Sequence, residues 1–157
     1  GETMAALQTA RNAAMFKKFL IPTDGSELSL KAVDGAIELA EKLGAEILVW
    51  SGAAASPITF AEQAYIDQTA LREQARETAR RHAQAAAEKI RLAQLPCEMK
   101  IEDVATVWGG IIDAARQNGC DLIFMSSHGR RGLTALLLGS ETQKVLTHSA
   151  IPVLVFR

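Results

Sequence analysis

Short apolar runs alternate with helical periods along most of this chain. Four of the runs are continuous, which is typical of strands buried on both faces of a parallel sheet. A fifth segment places Met99 and Ile101 on either side of Lys100, a pattern that predicts a partly exposed strand. The five predicted strands therefore cover residues 19–21, 47–50, 99–101, 122–125 and 153–156.

Between these runs, apolar positions recur every three or four residues, which predicts helices. Gly44, Pro96 and the pair Asn118-Gly119 are helix stop signals, and Thr106 is a candidate cap. Ser140 and Gln143 have the spacing of a capping box, which predicts a last short helix. The predicted helices cover residues 33–43, about 59–94, 106–118 and a short stretch from 140.

This alternation predicts an α/β fold in which right-handed crossovers build a three-layer, doubly wound sheet of five mainly parallel strands. In such Rossmann-like sheets, ligands bind beyond the carboxyl ends of the strands, where the strand order reverses. Residues 22–26 and 126–129 each follow an apolar strand directly. We therefore expect these two segments to lie at the ligand site.

Length and composition indicate one globular domain, and the net charge gives no support for two classes of partner. With 157 residues, 48% of them hydrophobic, the chain is long enough for one domain with its own core. A net charge of -1 gives no electrostatic reason to expect nucleic acid or a membrane surface as a partner. Residues 1–14 do not have the pattern of a secretory signal, and we treat them as an N-terminal extension or a cloning remnant before a domain at 15–157.

The cysteines and histidines do not predict a metal site. Cys97 and Cys120 lack CxxC spacing, and the three histidines share no ligand spacing. Two buried thiols are the simplest interpretation, although the sequence leaves a disulfide open.

A glycine-containing loop is the most informative segment for chemistry. Gly129 and Gly132 have no side chain to keep a ligand off the backbone. Gly139 and Ser140 directly precede the last predicted helix, whose free N–H groups favour an anion. This pattern fits a phosphate site, but it also fits plain turn and cap chemistry, and it matches neither common phosphate-loop motif.

Residues 15–157 nevertheless resemble the universal stress protein family along nearly their whole length. The resemblance is carried by the opening Phe16-Lys-Lys-Phe-Leu-Ile-Pro-Thr-Asp-Gly-Ser, by Gly119-Cys-Asp-Leu-Ile-Phe-Met and by residues 127–155. The ATP-binding branch carries Gly, two residues, Gly, nine residues, then Gly and Ser or Thr. Here Gly129, Gly139 and Ser140 match, whereas Ser126 stands in the first glycine position.

The resemblance implies an adenine nucleotide alpha hydrolase-like fold and a site for ATP with Mg²⁺. It places Asp24 at the ribose or the metal, although a turn or cap role is as reasonable, and it places Gly52 at the adenine. Arg130 is either a phosphate contact or a solvated cation, and His128 fits loop packing better than a general base. The implied binding residues are Pro22, Thr23, Asp24, Gly52, Met125, Ser126, His128, Gly129, Arg130, Gly132, Gly139, Ser140 and Glu141.

The function implied is a cytoplasmic, nucleotide-dependent regulatory module of the stress response. The family also implies a homodimer that forms through the last, apolar edge strand. No catalytic residue is predicted, so hydrolysis should be slow at most. Two alternatives stay open: a slow adenine-nucleotide hydrolase that depends on Asp24, and a nucleotide-free dimerisation module, which Ser126 makes worth testing.

Overall fold

The computed structural model describes residues 3–7, 15–54, 67–129 and 137–157. After one helical turn at residues 4–7, strands and helices alternate to the end of the chain. The elements are β1 (Lys18–Pro22), α1 (Glu27–Leu43), β2 (Glu46–Ala54), α2 (Gln68–Leu92), β3 (Cys97–Val104), α3 (Val107–Gln117), β4 (Leu122–Ser126), α4 (Ser140–His148) and β5 (Val153–Phe156). All five predicted strands are confirmed, with modest changes in their bounds.

The sheet is parallel throughout, with strand order β3-β2-β1-β4-β5. The chain places β2 and β3 on one side of β1 and then returns to place β4 and β5 on the other side. The strand order therefore reverses between β1 and β4, as the sequence-based topology required.

Each face of the sheet has its own apolar core. On one face, Phe19, Ile21 and Val49 pack with residues of α1 and α2. On the other face, Leu20, Leu48 and Trp50 pack with residues of α3 and α4. Because strand side chains alternate between faces, continuous apolar runs supply both cores at once. The predicted three-layer α/β/α fold is confirmed.

The helix ends follow the local sequence, with one exception. The Ser26 hydroxyl caps α1 by accepting from the Ser29 N–H, and Thr106 caps α3 in the same way. The capping box predicted at Ser140 is wrong, because Gly139 is the N-cap of α4 and Ser140 is already helical. The Gly139 N–H donates to the Ser127 carbonyl at 2.8 Å, and this contact fixes the point where the helix begins.

The start of α2 is partly outside the described residues. The sequence predicted that this helix begins near residue 59, but residues 55–66 lie outside the described part of the chain. Within that part, α2 begins at Gln68, after Asp67 accepts from the N–H groups of Thr69 and Ala70.

Cys97 and Cys120 are free thiols. Cys97 packs against the core that holds α1 and α2, whereas Cys120 belongs to the core on the opposite face. Burial raises the pKa of both thiols, that of Cys120 to about 11, so it stays protonated near neutral pH and is a poor nucleophile. Among the residues that the structure describes, no helix has both the length and the apolar character needed to cross a membrane.

Candidate functional site

The switch point between β1 and β4 brings two loops to one edge of the sheet. Phe19 and Leu20 pair with Leu122 and Ile123, so the strands leave the sheet side by side. The turn after β1 carries residues 23–26, and the loop after β4 carries residues 127–129. Both segments lie where the sequence predicted a ligand site.

Hydrogen bonds from neighbouring elements fix the turn after β1. The Thr23 N–H donates to the Trp50 carbonyl at 2.9 Å, and the Ser51 hydroxyl donates to the Thr23 carbonyl at 3.0 Å. The Ser26 N–H donates to Asp24 Oδ1 at 3.0 Å. These bonds anchor the turn to β2 and hold one oxygen of the Asp24 carboxylate.

Asp24 lies directly beside Gly129. A β-carbon built on Gly129 would lie 2.5 Å from Asp24 Oδ2, closer than two such atoms can approach. Glycine at position 129 therefore has a stereochemical reason that the sequence did not reveal: it makes room for the carboxylate of the neighbouring loop.

Ser126 places its hydroxyl within the loop. It is 8% exposed, and its Oγ donates to the His128 carbonyl at 2.8 Å. The Ser126 carbonyl accepts from the Thr142 hydroxyl of α4 at 3.0 Å. The side chain in the first glycine position thus closes the loop instead of leaving an unpaired hydroxyl.

His128 has a partner that sequence reasoning did not assign. The Ser127 hydroxyl and His128 Nδ1 share a hydrogen bond of 2.9 Å, while His128 Nε2 is buried and has no hydrogen-bond partner among the residues that the structure describes. Ser127 is only 3% exposed, so this serine–histidine pair presents no accessible nucleophile. The geometry agrees with loop packing.

The N-terminus of α4 completes the edge. A β-carbon on Gly139 would lie 3.3 Å from both the His128 Cα and the Ser127 carbonyl oxygen, so the two ends of the glycine loop meet. Within the described part of the chain, no side chain caps this helix. Its first N–H groups therefore remain available to an anion at the same edge as Asp24.

Two predicted residues have other partners in the structure. Glu141 Oε2 accepts from the Trp108 N–H at 2.8 Å, so the carboxylate caps α3, and the Trp108 ring packs against His148. A β-carbon on Gly52 would lie 2.6 Å from the Trp50 ring, which explains this glycine by packing. The backbone of both residues stays a predicted nucleotide contact.

The remaining predicted residues differ in what the structure says of them. Pro22 ends β1, Thr23 and Met125 are buried at the switch point, and Arg130 and Gly132 lie outside the described residues. Sequence reasoning missed the buried hydroxyls of Ser51, Ser127 and Thr142. Nothing in the local sequence marks Ser51 and Thr142, because their partners are 28 and 16 residues away. Ser127 bonds the ring of the adjacent His128, and neighbouring positions alone do not show that the two side chains meet.

The protein offers few ligands to a metal ion. Within the described ranges, no group of three or more His, Cys, Asp or Glu side chains could hold one. Mg²⁺ is commonly held by one or two carboxylates together with substrate phosphates and water. A single carboxylate at Asp24 fits that arrangement only when a nucleotide supplies the phosphate oxygens.

Comparisons with known proteins agree with the fold. The family model described as "Universal stress protein family" matches residues 15–157. Universal stress protein MJ0531 of Methanocaldococcus jannaschii is 32% identical over 146 residues, which cover 91% of this chain and 83% of the relative.

Two solved structures share the architecture. That of MJ0577, also from Methanocaldococcus jannaschii, has a TM-score of 0.77 at 27% identity and covers 90% of this chain and 95% of its own. A universal stress protein from Archaeoglobus fulgidus, solved in complex with dAMP, has a TM-score of 0.65 at 15% identity, with 91% and 99% covered.

Proposed function

Because the chain belongs to the universal stress protein family, we propose that it binds ATP with Mg²⁺ at the β1–β4 switch point and acts as a cytoplasmic, nucleotide-dependent regulator in the stress response. The observation that carries the proposal is the meeting of Asp24, Gly129 and the uncapped start of α4 at one edge of the sheet. A phosphate group needs N–H donors and close backbone approach, and this edge offers both. The dAMP complex of the Archaeoglobus protein makes an adenine nucleotide the first ligand to test.

The roles of the individual residues follow from their positions. Backbone N–H groups of Ser140 and Glu141 bind phosphate, while the Gly139 N–H is already bonded to the Ser127 carbonyl. Asp24 binds the ribose or the metal. We expect hydrolysis to be slow at most. The Ser127 hydroxyl is hydrogen-bonded to His128, but it is buried and therefore offers no accessible nucleophile.

Ser126 supports retention of nucleotide binding. Its hydroxyl points to the His128 carbonyl, so the substitution of the first glycine closes the loop from within. A nucleotide-free dimerisation module is the alternative, and it predicts no response to ATP.

Binding is tested by calorimetric titration with Mg-ATP and by thermal unfolding. At ATP concentrations about 100 times the Kd, binding should stabilise the folded state by about 2.7 kcal/mol. For a chain of this size, this corresponds to a rise in Tm of roughly 5–10 °C. Mg-GTP is the matched control for recognition of the base. A folded protein that ignores millimolar ATP would refute nucleotide binding and leave the dimerisation module.

We further propose that two copies pair through β5. All four residues of β5 are apolar and partly exposed, although the strand lies at the edge of the sheet. A groove of about 300 Å³ beside it is lined by Leu39, Phe124, Leu154 and Phe156, with Glu38 and Lys42 among its other residues. The opposite edge, β3, instead exposes the charged residues Glu98, Lys100 and Asp103, and charged edges resist pairing.

Val155→Lys is expected to weaken the dimer by about 100-fold, since a charge would be buried against the second copy. Val155 belongs to neither apolar core, so the variant should stay folded. Analytical ultracentrifugation over a concentration series measures the change, and Glu98→Lys on β3 is the control that should leave the dimer intact. An unchanged dimer in Val155→Lys would place the interface elsewhere.

A further inference from the structure

His82 lies in the inward-facing stripe of α2. The buried positions of this stripe are small or aliphatic: Ala79, Ala83, Ala86, Ala87 and Ile90. His82 falls among them at helical spacing and is half-buried. A polar ring at a partly buried position needs a hydrogen-bond partner or water, and it reaches further from the helix than the alanines around it.

The contact that His82 makes is with the turn after β1. A β-carbon built on Gly25 would lie 2.3 Å from His82 Cδ2 and 2.8 Å from Nε2. The edge of the imidazole ring that carries Nε2 therefore lies against the Gly25 backbone. Gly25 also has a φ of +73°, a left-handed conformation that side chains disfavour. The turn is thus shaped both to bend here and to receive the ring.

This turn is the one that holds Asp24. The Gly25 N–H donates to Thr23 Oγ1 at 3.2 Å, and the Ser26 N–H donates to Asp24 Oδ1 at 3.0 Å. Gly129 approaches Asp24 from the loop after β4. Contacts from β2, from the β4 loop and from His82 on α2 therefore converge on the turn.

We propose that His82 is a positioning residue for Asp24, and that protonation of its imidazole makes nucleotide binding respond to pH near neutrality. The proposal rests on the nucleotide site proposed above and adds a means of regulating it. The imidazole of histidine ordinarily titrates near pH 6.5, so its charge changes within the physiological range. A positive charge against the turn alters the field that both Asp24 and a bound anion experience.

The other described charges around α2 are mostly paired with each other. On α1, Glu27 pairs with Lys31, and Asp34 pairs with Lys89 of α2; on β3, Asp103 pairs with Arg76 of α2, which also bonds Glu73. The residues three and four positions from His82 on its own helix are uncharged: Thr78, Ala79, Ala85 and Ala86. Two titratable groups lie on the segments that meet at this contact: Asp24 on the turn itself, and His128 on the β4 loop that approaches Asp24 through Gly129.

The sign of the effect depends on the ligand. Protonated His82 attracts the phosphates of metal-free ATP, so this affinity should rise as the pH falls. The same charge opposes a Mg²⁺ ion at Asp24, so the gain in affinity that Mg²⁺ gives should shrink as the pH falls. For one added charge near the ligand in a partly solvated site, we expect affinity to change by about three- to fivefold.

Two variants separate position from charge. His82→Phe keeps a flat ring against Gly25 but has no charge to gain, so its affinity should match that of the wild type near pH 8 and lack the extra rise on acidification. His82→Ala removes the ring, so affinity should fall at every pH because the turn loses its support. His148→Gln, at the far end of α4, is the control that should reproduce the wild-type profile.

The measurement is the Kd of ATP between about pH 5.5 and pH 8, with EDTA and with Mg²⁺. Each variant is compared with the wild type at the same pH, so the protonation of ATP itself cancels in the ratio. A wild-type profile that runs parallel to that of His82→Phe, with ATP bound by both, would overturn the role of His82. Absence of ATP binding in every protein at every pH would instead overturn the proposed function.

A ligand-free readout keeps the inference testable in that case. The backbone amide resonances of Gly25 and Ser26 should shift with pH and share their midpoint with the His82 ring, as measured by NMR. They should not do so in His82→Phe. Amide shifts that ignore the titration of the ring would overturn the inference without any nucleotide.

Discussion

Gly129→Ala is expected to lower the affinity for ATP by about tenfold or more while the protein stays folded. The new methyl carbon would lie 2.5 Å from Asp24 Oδ2, so either the carboxylate or the β4 loop must move. Overpacking of this kind costs about 1–3 kcal/mol, and about 1.4 kcal/mol corresponds to a factor of ten in Kd. Because both groups belong to the proposed site, this movement should disturb their contacts with the ligand. Calorimetric titration of the two proteins with Mg-ATP measures the change.

Gly119→Ala is the matched control for this substitution. Gly119 has a φ of +66°, but beyond its two chain neighbours no atom of the described residues lies within 4 Å of the added carbon. The control should therefore lose stability through backbone strain alone, by about 1 kcal/mol, and bind ATP as the wild type does. Equal affinity in Gly129→Ala and the wild type would mean that the contact between Asp24 and Gly129 does not shape the site.

Trp50→Ala is expected to cost about 3–5 kcal/mol of folding free energy, the largest stability effect that we predict. The Trp50 ring is 1% exposed, and Gly52 and Gly110 leave the space that it fills. Its Nε1–H donates to Glu102 Oε1 at 2.8 Å, so the substitution also removes the partner of that carboxylate. Urea unfolding should show a midpoint about 2 M lower than that of the wild type.

Trp50→Phe separates the ring from the hydrogen bond. It keeps a buried aromatic ring but loses the donor to Glu102 and part of the indole volume, so we expect a cost of about 1–2 kcal/mol, less than that of Trp50→Ala. Equal free energies of unfolding for Trp50→Ala and Trp50→Phe would mean that packing of the aromatic ring contributes little to the stability of the core. Trp108 is a poor substitute for this test, because it is only partly buried against His148.

The elements of the fold were predictable because they depend on near neighbours. The apolar run at 122–125 gave β4, and the signals at Thr106 and Gly44 gave helix ends that the structure confirms. The capping box at Ser140 failed for a non-local reason, since the carbonyl of Ser127 binds the Gly139 N–H and moves the cap by one residue. Local patterns predict helix ends only where no distant group competes.

The site was predictable in outline but not in detail. The topology argument brought the two loops after β1 and β4 to one edge, and the structure confirms that meeting. Which of their residues touch a nucleotide stays a prediction. The family resemblance implied nucleotide contacts at Glu141 and Gly52, yet the Glu141 carboxylate caps α3 and the missing side chain of Gly52 makes room for Trp50.

The glycine loop shows which features the sequence alone determined and which depended on the tertiary structure. By itself, the sequence determined the five strands, the parallel topology and the loop whose glycines follow β4, because periodicity and turn chemistry are encoded within a few residues. Only the tertiary structure decided that Gly129 makes room for Asp24, that Ser126 bonds within its own loop and that His82 rests on Gly25. Two of these contacts join residues more than 50 positions apart, and the third depends on how the loop folds back on itself. Such contacts depend on strand register and helix packing, which no local pattern specifies.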